Sequence, residues 1–426
     1  MTTPRRRADA ARNDELILDA GVDLLRDKGP DRITALDLAR AAGLTTGAVY
    51  ARYENNEEVL VGLWQNRVSR AMKSFFEIAL GVLEPGQSRA DAQAHIAMSL
   101  ANPAGLLKPG ISLMIAAPRI AELAEVVIPD VQSWLTGLGV NENAGEPGSD
   151  RRLAVIGFVV GCLYFAAIDQ FDPAEWEAIK PAAHAVIDNL DRTDWPSPTR
   201  VPPADSTIST DNEVRDALVN GAARVIARGG VERATTQRIA RAANVPPSAL
   251  FSEYRTRQAL FSDVATKLLN HIYRGSRAGN YIDDSKVDDE IQFATSPDDP
   301  RLGEYAEMLK TQSMGANHTL LSPAGREQRR LRLEFHLAAI HDPSIREALV
   351  NADRDANDFA ADLFNRAYGL APEILVPGSR MLRTLAQGLM LIEDCSGYAF
   401  GLDVRLIFEP LCDYVIEESL RINRAR

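Results

Sequence analysis

Side chains able to bind a metal, attack an electrophile or carry a proton are sparse in this chain and poorly clustered. The three cysteines, Cys162, Cys395 and Cys412, form no close pair in the sequence, which offers neither a disulfide framework nor a zinc-ligand spacing. His336 and His341 stand five residues apart, off the spacing that puts two ligands on one helix face. No nucleophile elbow or phosphate-cradling glycine loop is present. The chain is therefore not expected to be an enzyme, and no metal or cofactor is expected. An all-helical enzyme is the weakest of the functional alternatives.

The chemistry that remains is recognition, and composition bounds it. At 426 residues the chain is long enough for two to four domains. With 46% hydrophobic and 25% charged residues it has the balance of a globular protein. A net charge of −12 argues against coating nucleic acid by bulk positive charge, but leaves room for a small DNA-reading surface on an acidic body. The N-terminus reads as mixed-charge and amphipathic, unlike a signal peptide. Leu153 to Ile168 is the longest apolar stretch, and at about 1.5 Å per residue it falls short of a roughly 30 Å hydrocarbon layer. A buried helix and no membrane association are expected, with a reducing cytoplasm as the setting.

An internal repeat organises the chain. A shift of 201 positions aligns residues 15–60 with 216–261 without a gap, with nine identities that include Gly29/Gly230, Arg32/Arg233, Thr34/Thr235 and Tyr53/Tyr254. Apolar positions also agree, among them Leu38/Ile239, Leu44/Val245 and Val49/Leu250. Within each block the spacing predicts three short helices. In the first block, Ile17, Ala20, Leu24 and Leu25 share a face of a helix that stops at Gly29-Pro30. Thr34 is the expected N-cap of a helix over Ala35–Ala42 that ends at Gly43, and Thr45 the cap of a third helix running to Tyr53. Two short helices joined by a tight turn make a helix-turn-helix arrangement.

Longer helices are expected over 63–83, 151–171 and 173–191, and in the second half over 257–274, 301–314, 326–340, 343–368, 378–400 and 403–423. The last two occupy the same relative place as 151–171 and 173–191, so the duplicated unit is the whole two-domain protein. The expected division is 1–62, a helix-turn-helix domain with a basic arm; 63–191, a helical body; 192–212, a linker rich in Pro, Ser and Thr; 213–263, a second, degenerate helix-turn-helix domain; and 264–426, a second body. The linker reaches roughly 65–70 Å when extended. Residues 278–300 read as an acid-rich loop. No strands are evident.

The segment Ala42-Gly43-Leu44-Thr45-Thr46-Gly47-Ala48-Val49-Tyr50-Ala51-Arg52-Tyr53 resembles the DNA-reading motif of TetR (tetracycline-repressor) family regulators. Ile33 to Ala39 resembles the start of that family's preceding helix. The second copy keeps the register, with Asn244 at the turn glycine, Pro246-Pro247 at the polar pair and Ser248 at Gly47. The resemblance implies an all-α chain of two tandem units, each with a three-helix head and a helical regulatory body, the bodies pairing internally as a pseudo-dimer.

Double-stranded operator DNA is the partner that the resemblance implies, met by a recognition helix at Thr45 to Tyr53. The DNA-facing residues it implies in the first head are Thr34, Thr45, Thr46, Gly47, Ala48, Tyr50, Arg52 and Tyr53. In the second head they are Thr235, Pro247, Ser248, Phe251 and Tyr254. A phosphate-contacting Lys of the family falls on Asn56 and Arg257 here. Arg5, Arg6 and Arg7 read either as a basic arm along the DNA or as a tail with incidental charge. Residues 1–60 hold nine Arg/Lys against eleven Asp/Glu, whereas 213–270 hold nine against five. The better motif thus has the poorer electrostatic field, and an asymmetric operator is expected.

Family resemblance also implies that the last two helices of each body form a four-helix bundle. Gly157 and Gly161, four apart, would allow close helix approach there. The chain is accordingly expected to be a monomer with an internal pseudo-two-fold. A small apolar or amphipathic effector is expected as a partner, with a pocket open to it in each body, although plain core is the stronger reading for most of the residues that could line one. Its candidate lining is Phe75, Phe76, Met114, Trp134, Phe158 and Phe165 in the first body. The second offers Tyr305, Met308, Met314, Phe335, Phe359 and Met390, with His318, His336 and Cys395 as polar handles. The alternative to a ligand-responsive repressor is a duplicated scaffold of the same kind that senses a ligand or protein without gripping DNA.

Overall fold

The computed structural model describes residues 3–103, 105–141, 147–192, 194–195, 207–209, 212–275, 291–316 and 321–426, with side chains for all of these except 3–10, 147, 268–275 and 312–316. Most of the linker and of the acid-rich loop, His318, and the side chains of Arg5, Arg6, Arg7 and Met314 lie outside the described residues. Among the described residues the fold is all helical, without strands.

The first head consists of α1 (Thr3–Lys28), α2 (Ala35–Ala42) and α3 (Thr46–Tyr50). Next, α4 (Asn56–Leu63) runs through a π-turn at Trp64–Val68 into α5 (Ser69–Leu80), so one continuous rod joins head to body. The first body is completed by α6 (Gln87–Ala101), α7 (Leu107–Ala116), α8 (Ala121–Gly137), α9 (Pro147–Ala166) and α10 (Pro173–Ile187). The second unit repeats the order. Its head is α11 (Glu213–Gly229), α12 (Thr236–Ala243) and α13 (Pro247–Glu253). Its body is α14 (Arg257–Gly275), α15 (Pro300–Ala316), α16 (Arg326–His341), α17 (Pro343–Tyr368), α18 (Pro372–Ser396) and α19 (Arg405–Ala425).

The periodicity of the sequence did not reveal α6, α7 and α8. Pro103, Pro109, Pro118 and Pro129 interrupt this stretch. In addition, Pro109 to Ala116 of α7 are buried on every side, leaving no polar stripe to mark a helix face. The third head helix also differs from expectation: it ends at Tyr50, and Tyr53 lies beyond it. No helix among the described residues is long and apolar enough to cross a membrane, α9 included.

The two bodies meet where α9 crosses α18. A methyl group on Gly161 would sit 1.8 Å from the carbonyl oxygen of Thr384, and one on Gly388 would sit 1.8 Å from the carbonyl oxygen of Gly157. Backbone therefore rests on backbone, which only glycine permits. Gly161 and Gly388 stand 227 positions apart, as do Gly157 and Thr384. Exchanging the two units thus maps one contact onto the other, the signature of a two-fold interface. Around this point α10 packs on both α18 and α19, completing a four-helix layer within the chain. The start of the linker follows the same surface: the Asp194 N–H donates to Glu409 Oε2 at 2.9 Å, and Arg405 Nη1 donates to the carbonyl of Trp195 at 3.0 Å.

Overpacking a tight interior contact costs about 1–3 kcal/mol. Gly161→Ala and Gly388→Ala are each expected to lower the unfolding free energy of the full chain in urea by that order, and its midpoint with it, while Gly105→Ala, which meets nothing within 4 Å, leaves both in place. Equal midpoints for all three would show that the crossing is not as close as described.

Candidate nucleic-acid interface

The first helix-turn-helix is built by local rules. Thr34 accepts from the Asp37 N–H at 3.1 Å and Thr45 from the Ala48 N–H at 3.2 Å, each capping the helix that follows. Between them Gly43 turns the chain with φ +67°. The second head reproduces this with Thr235 as the cap of α12 and Asn244 at φ +56°. Asn is the side chain that best tolerates the left-handed region after Gly, so the substitution at the turn leaves the geometry intact. Pro246 and Pro247 open α13 without a side-chain cap, Pro247 at its first position, where a missing N–H costs nothing.

Equivalent positions then divide into those that face the core and those that face water. Val49 and Leu250 are fully buried, and Ala48 is half-buried. Tyr50 is 60% exposed and Phe251 63% exposed, and Thr45, Thr46, Gly47, Pro247 and Ser248 are exposed around them. The two copies thus present a large aromatic ring to solvent at the same place.

Several of the expected contacts point elsewhere. The Tyr53 hydroxyl donates to Asp14 Oδ1 at 2.7 Å, with Arg52 3.6 Å from the same carboxylate. Tyr254 is buried and donates to Asp263, under the guanidinium of Arg215. Burial and the neighbouring carboxylate push both phenols up. These tyrosines tie the recognition helix to its scaffold. At the third matched pair, Asn56 Nδ2 donates to the Ile33 carbonyl at 2.8 Å, and Arg257 Nη2 donates to the Val231 and Glu232 carbonyls at 2.5 and 3.1 Å. Arg257 also lies over the Phe261 ring. Both side chains hold the turn that enters the second helix of the head.

Charge is distributed unequally. In the first head Lys28 pairs with Asp37 at 2.7 Å, and Arg40 is exposed on α2. In the second, Arg238 occupies the place of Asp37, with Arg241 and Arg255 also exposed.

The heads touch one another. Arg32 Nε donates to Glu232 Oε1 at 2.9 Å, and Arg233 lies 3.6 Å from Glu57. Beneath this joint is an ion cluster that sequence patterns did not disclose, because its members lie up to 363 positions apart in the chain. Arg119, whose side chain is 3% exposed, donates to Asp31 at 2.8 Å and to Glu334 at 2.8 Å. Arg330 pairs with Glu334 and Asp394 at 2.5 Å each and donates to the Ile115 carbonyl at 3.0 Å. Burial drives the Glu334 carboxyl up while Arg119 and Arg330 pull it down. His341, at the end of α16, presses on Gly29 of the first head, where an added methyl would meet its ring at 2.7 Å. A cleft of about 650 Å³ adjoins the joint, lined by Asn55, Asn56, Glu57, Glu232 and Arg233 among others.

The residues expected around an effector are mostly core. Trp134 stacks on Trp64 with ring centroids 5.5 Å apart and meets the edge of Phe76, Phe158 tilts onto Trp176, and Met114, Met308, Phe335 and Met390 are buried. Phe359 is exposed. Of the described members of the set, only Phe165 and His336 come together at a polar cavity.

Two capped, exposed-helix heads on paired helical bodies define a helix-turn-helix protein. Residues 17–63 and again 218–264 match the family model described as "Bacterial regulatory proteins, tetR family". The two matches support a regulator of that family with a tandem duplicated unit, and the family is one of DNA-binding transcription regulators. No curated protein matches the chain.

Removing one partner of a buried ion cluster strands the others and costs about 3–5 kcal/mol. Arg119→Met is expected to destabilise the full chain by that order in urea denaturation; a change under about 0.5 kcal/mol would contradict the burial of Asp31 and Glu334 around it.

Burial, reinforced by Lys108, Arg32 and Arg346, pulls the His341 imidazole down to about 4. Its folded value is below that of the unfolded chain, so the unfolded state binds more protons between them. Stability from this group is complete above about pH 6.5 and declines as pH falls towards 4. His341→Gln is expected to flatten the denaturation midpoint between pH 6.5 and 5; an unchanged slope would count against its burial.

Proposed function

We propose that this chain is a ligand-responsive transcription regulator, most simply a repressor, that grips double-stranded operator DNA as a single molecule through two non-identical heads. The observation that carries this reading is the matched exposure of Tyr50 and Phe251 on equivalent helices, in heads tied together by Arg32–Glu232 and Arg233–Glu57. Thr45, Thr46, Gly47 and Tyr50 supply polar groups and close approach for base edges. Pro247, Ser248 and Phe251 supply a more apolar face, with Arg238, Arg241 and Arg255 for phosphate. Arg5, Arg6 and Arg7 extend the first head's reach. Covalent linkage frees the two surfaces from identity, so the operator is asymmetric. The bodies at 63–191 and 264–426 keep the heads in register, with effective concentration taking the place of dimerisation. A compact effector in the bodies shifts the population between head placements, with coupling of about 1–3 kcal/mol.

One observation favours a scaffold that no longer holds DNA. In the first head Lys28, Arg32 and Arg52 each face a carboxylate, which weakens the local field.

Selection of genomic fragments by purified protein, followed by gel shift at about 50 and 200 mM salt, separates the readings. A regulator gives one chain per fragment, a non-palindromic site and affinity that falls about 10³-fold or more with salt if six or more phosphates are met. Tyr50→Ala reduces discrimination between sites, whereas Arg241→Ala weakens all sites and lowers the salt slope by about 1. No shift at low salt supports the scaffold; a perfect palindrome refutes the asymmetric operator.

A further inference from the structure

We propose that the cavity between the C-terminal end of α9 and helices α16, α17 and α18 is a binding site for a compact, uncharged molecule bearing N–H or O–H donors, such as a small amide. It rests on the regulator reading only for its consequence, not for its chemistry. The cavity has walls from both units: Tyr164, Phe165 and Gln170 from one, His336, Asp353 and Gln387 from the other.

Three of its polar atoms are acceptors lacking protein partners. His336 is 2% exposed and its Nε2 has none, and the same holds for Gln387 Oε1, 3% exposed, and for Gln170 Oε1. Neutral imidazole has one acceptor nitrogen, and burial keeps this ring neutral. Leaving such groups unmatched is costly, so a donor-bearing molecule gains the bonds that the protein does not make. Asp353 faces Arg383 at 3.4 Å, and Arg332 also lines the space; with charges of both signs present, neither a strong anion nor a strong cation is selected. The Tyr164 ring stacked on His336 at 3.3 Å, with the Phe165 edge beside it, provides a flat wall.

The pseudo-two-fold gives an internal control. At the offset of 227, Gln387 corresponds to Val160 and Tyr164 to Leu391, both buried and apolar. Packing alone does not require a polar group at these two positions, since the other copy is apolar at both. Among the described residues the arrangement is found in one copy.

The enclosed volume is about 20 Å³, room for one or two water-sized groups. A ligand therefore seats its polar head inside and enters past Gln170, the half-buried member of the lining. The preceding Asp169 has φ +60° and is held by Arg346 at 2.7 Å, so the mouth is a turn pinned by one exposed ion pair. The opposite wall is α16, whose Glu334 and His341 reach the head joint; occupancy at His336 thus acts on the helix that supports both heads.

The test is thermal denaturation of the full chain with acetamide, and separately with pyrazole, over a millimolar series. The expected result is a Tm rise of about 2 °C at tenfold excess over the dissociation constant, growing with the logarithm of concentration beyond it. Gln387→Val, which copies the other unit, and Gln170→Leu at the mouth should each remove it. Using two variants guards against one that fails to fold. No rise in the parent chain, or an equal rise in either folded variant, overturns the site and assigns the cavity to ordered water. Gel shift on the same samples keeps the readings distinct. Failure to bind operator overturns the regulator, whereas a Tm response lost in the variants upholds the site regardless.

Discussion

The close approach between the backbones of α9 and α18 constrains most of what surrounds it. Helices normally pack 8–10 Å apart because side chains intervene. Here Gly157, Gly161 and Gly388 remove them, and each unit places a carbonyl where a methyl would otherwise stand. Such a contact tolerates little sliding or rotation. It fixes the axis about which the two bodies are related, and through the rods that run from body to head it limits where the heads lie. A symmetric crossing on a single chain also explains how two diverged halves remain matched: the contact is made by backbone, which changes least as side chains drift.

Away from that axis the halves differ, and α16 shows how. Four of its buried residues are charged, namely Arg329, Arg330, Arg332 and Glu334, an unusual load for a helix enclosed on all sides. These charges are matched by groups from elsewhere: Asp394 from α18, Arg119 from the first body and Asp31 from the first head. Buried ion clusters are weak sources of net stability, because desolvation offsets much of the attraction. They are strongly directional, however, and a misplaced partner is heavily penalised. The cluster thus acts as a register mark between three parts of the chain. The counterpart helix α7 is apolar along most of its length, so this device belongs to one side.

The heads show the reverse relation, with shared geometry and unlike surfaces. Caps at Thr34 and Thr235, left-handed turns at Gly43 and Asn244, and buried Val49 and Leu250 preserve the framework. The exposed positions have diverged freely, since no packing restrains them. Tyr53 and Tyr254 join the conserved set by anchoring to Asp14 and Asp263, two different partners reached from the same position.

Much of this was legible without coordinates. Periodicity and the 201-residue repeat disclosed two three-helix heads, their caps and turns, and the duplication of whole units, because these depend on local backbone preferences and on short-range apolar spacing. The glycine pair at 157 and 161 carried its own signal for the same reason. Side-chain destinations were not legible. Whether Arg257 points to solvent or to the carbonyls of Val231 and Glu232, whether Tyr53 meets water or Asp14, and whether His336 is a spare core residue or the wall of a cavity depend on segments brought together over tens to hundreds of positions. Linear order records which groups exist, while burial and pairing across the pseudo-two-fold decide which of them remain available.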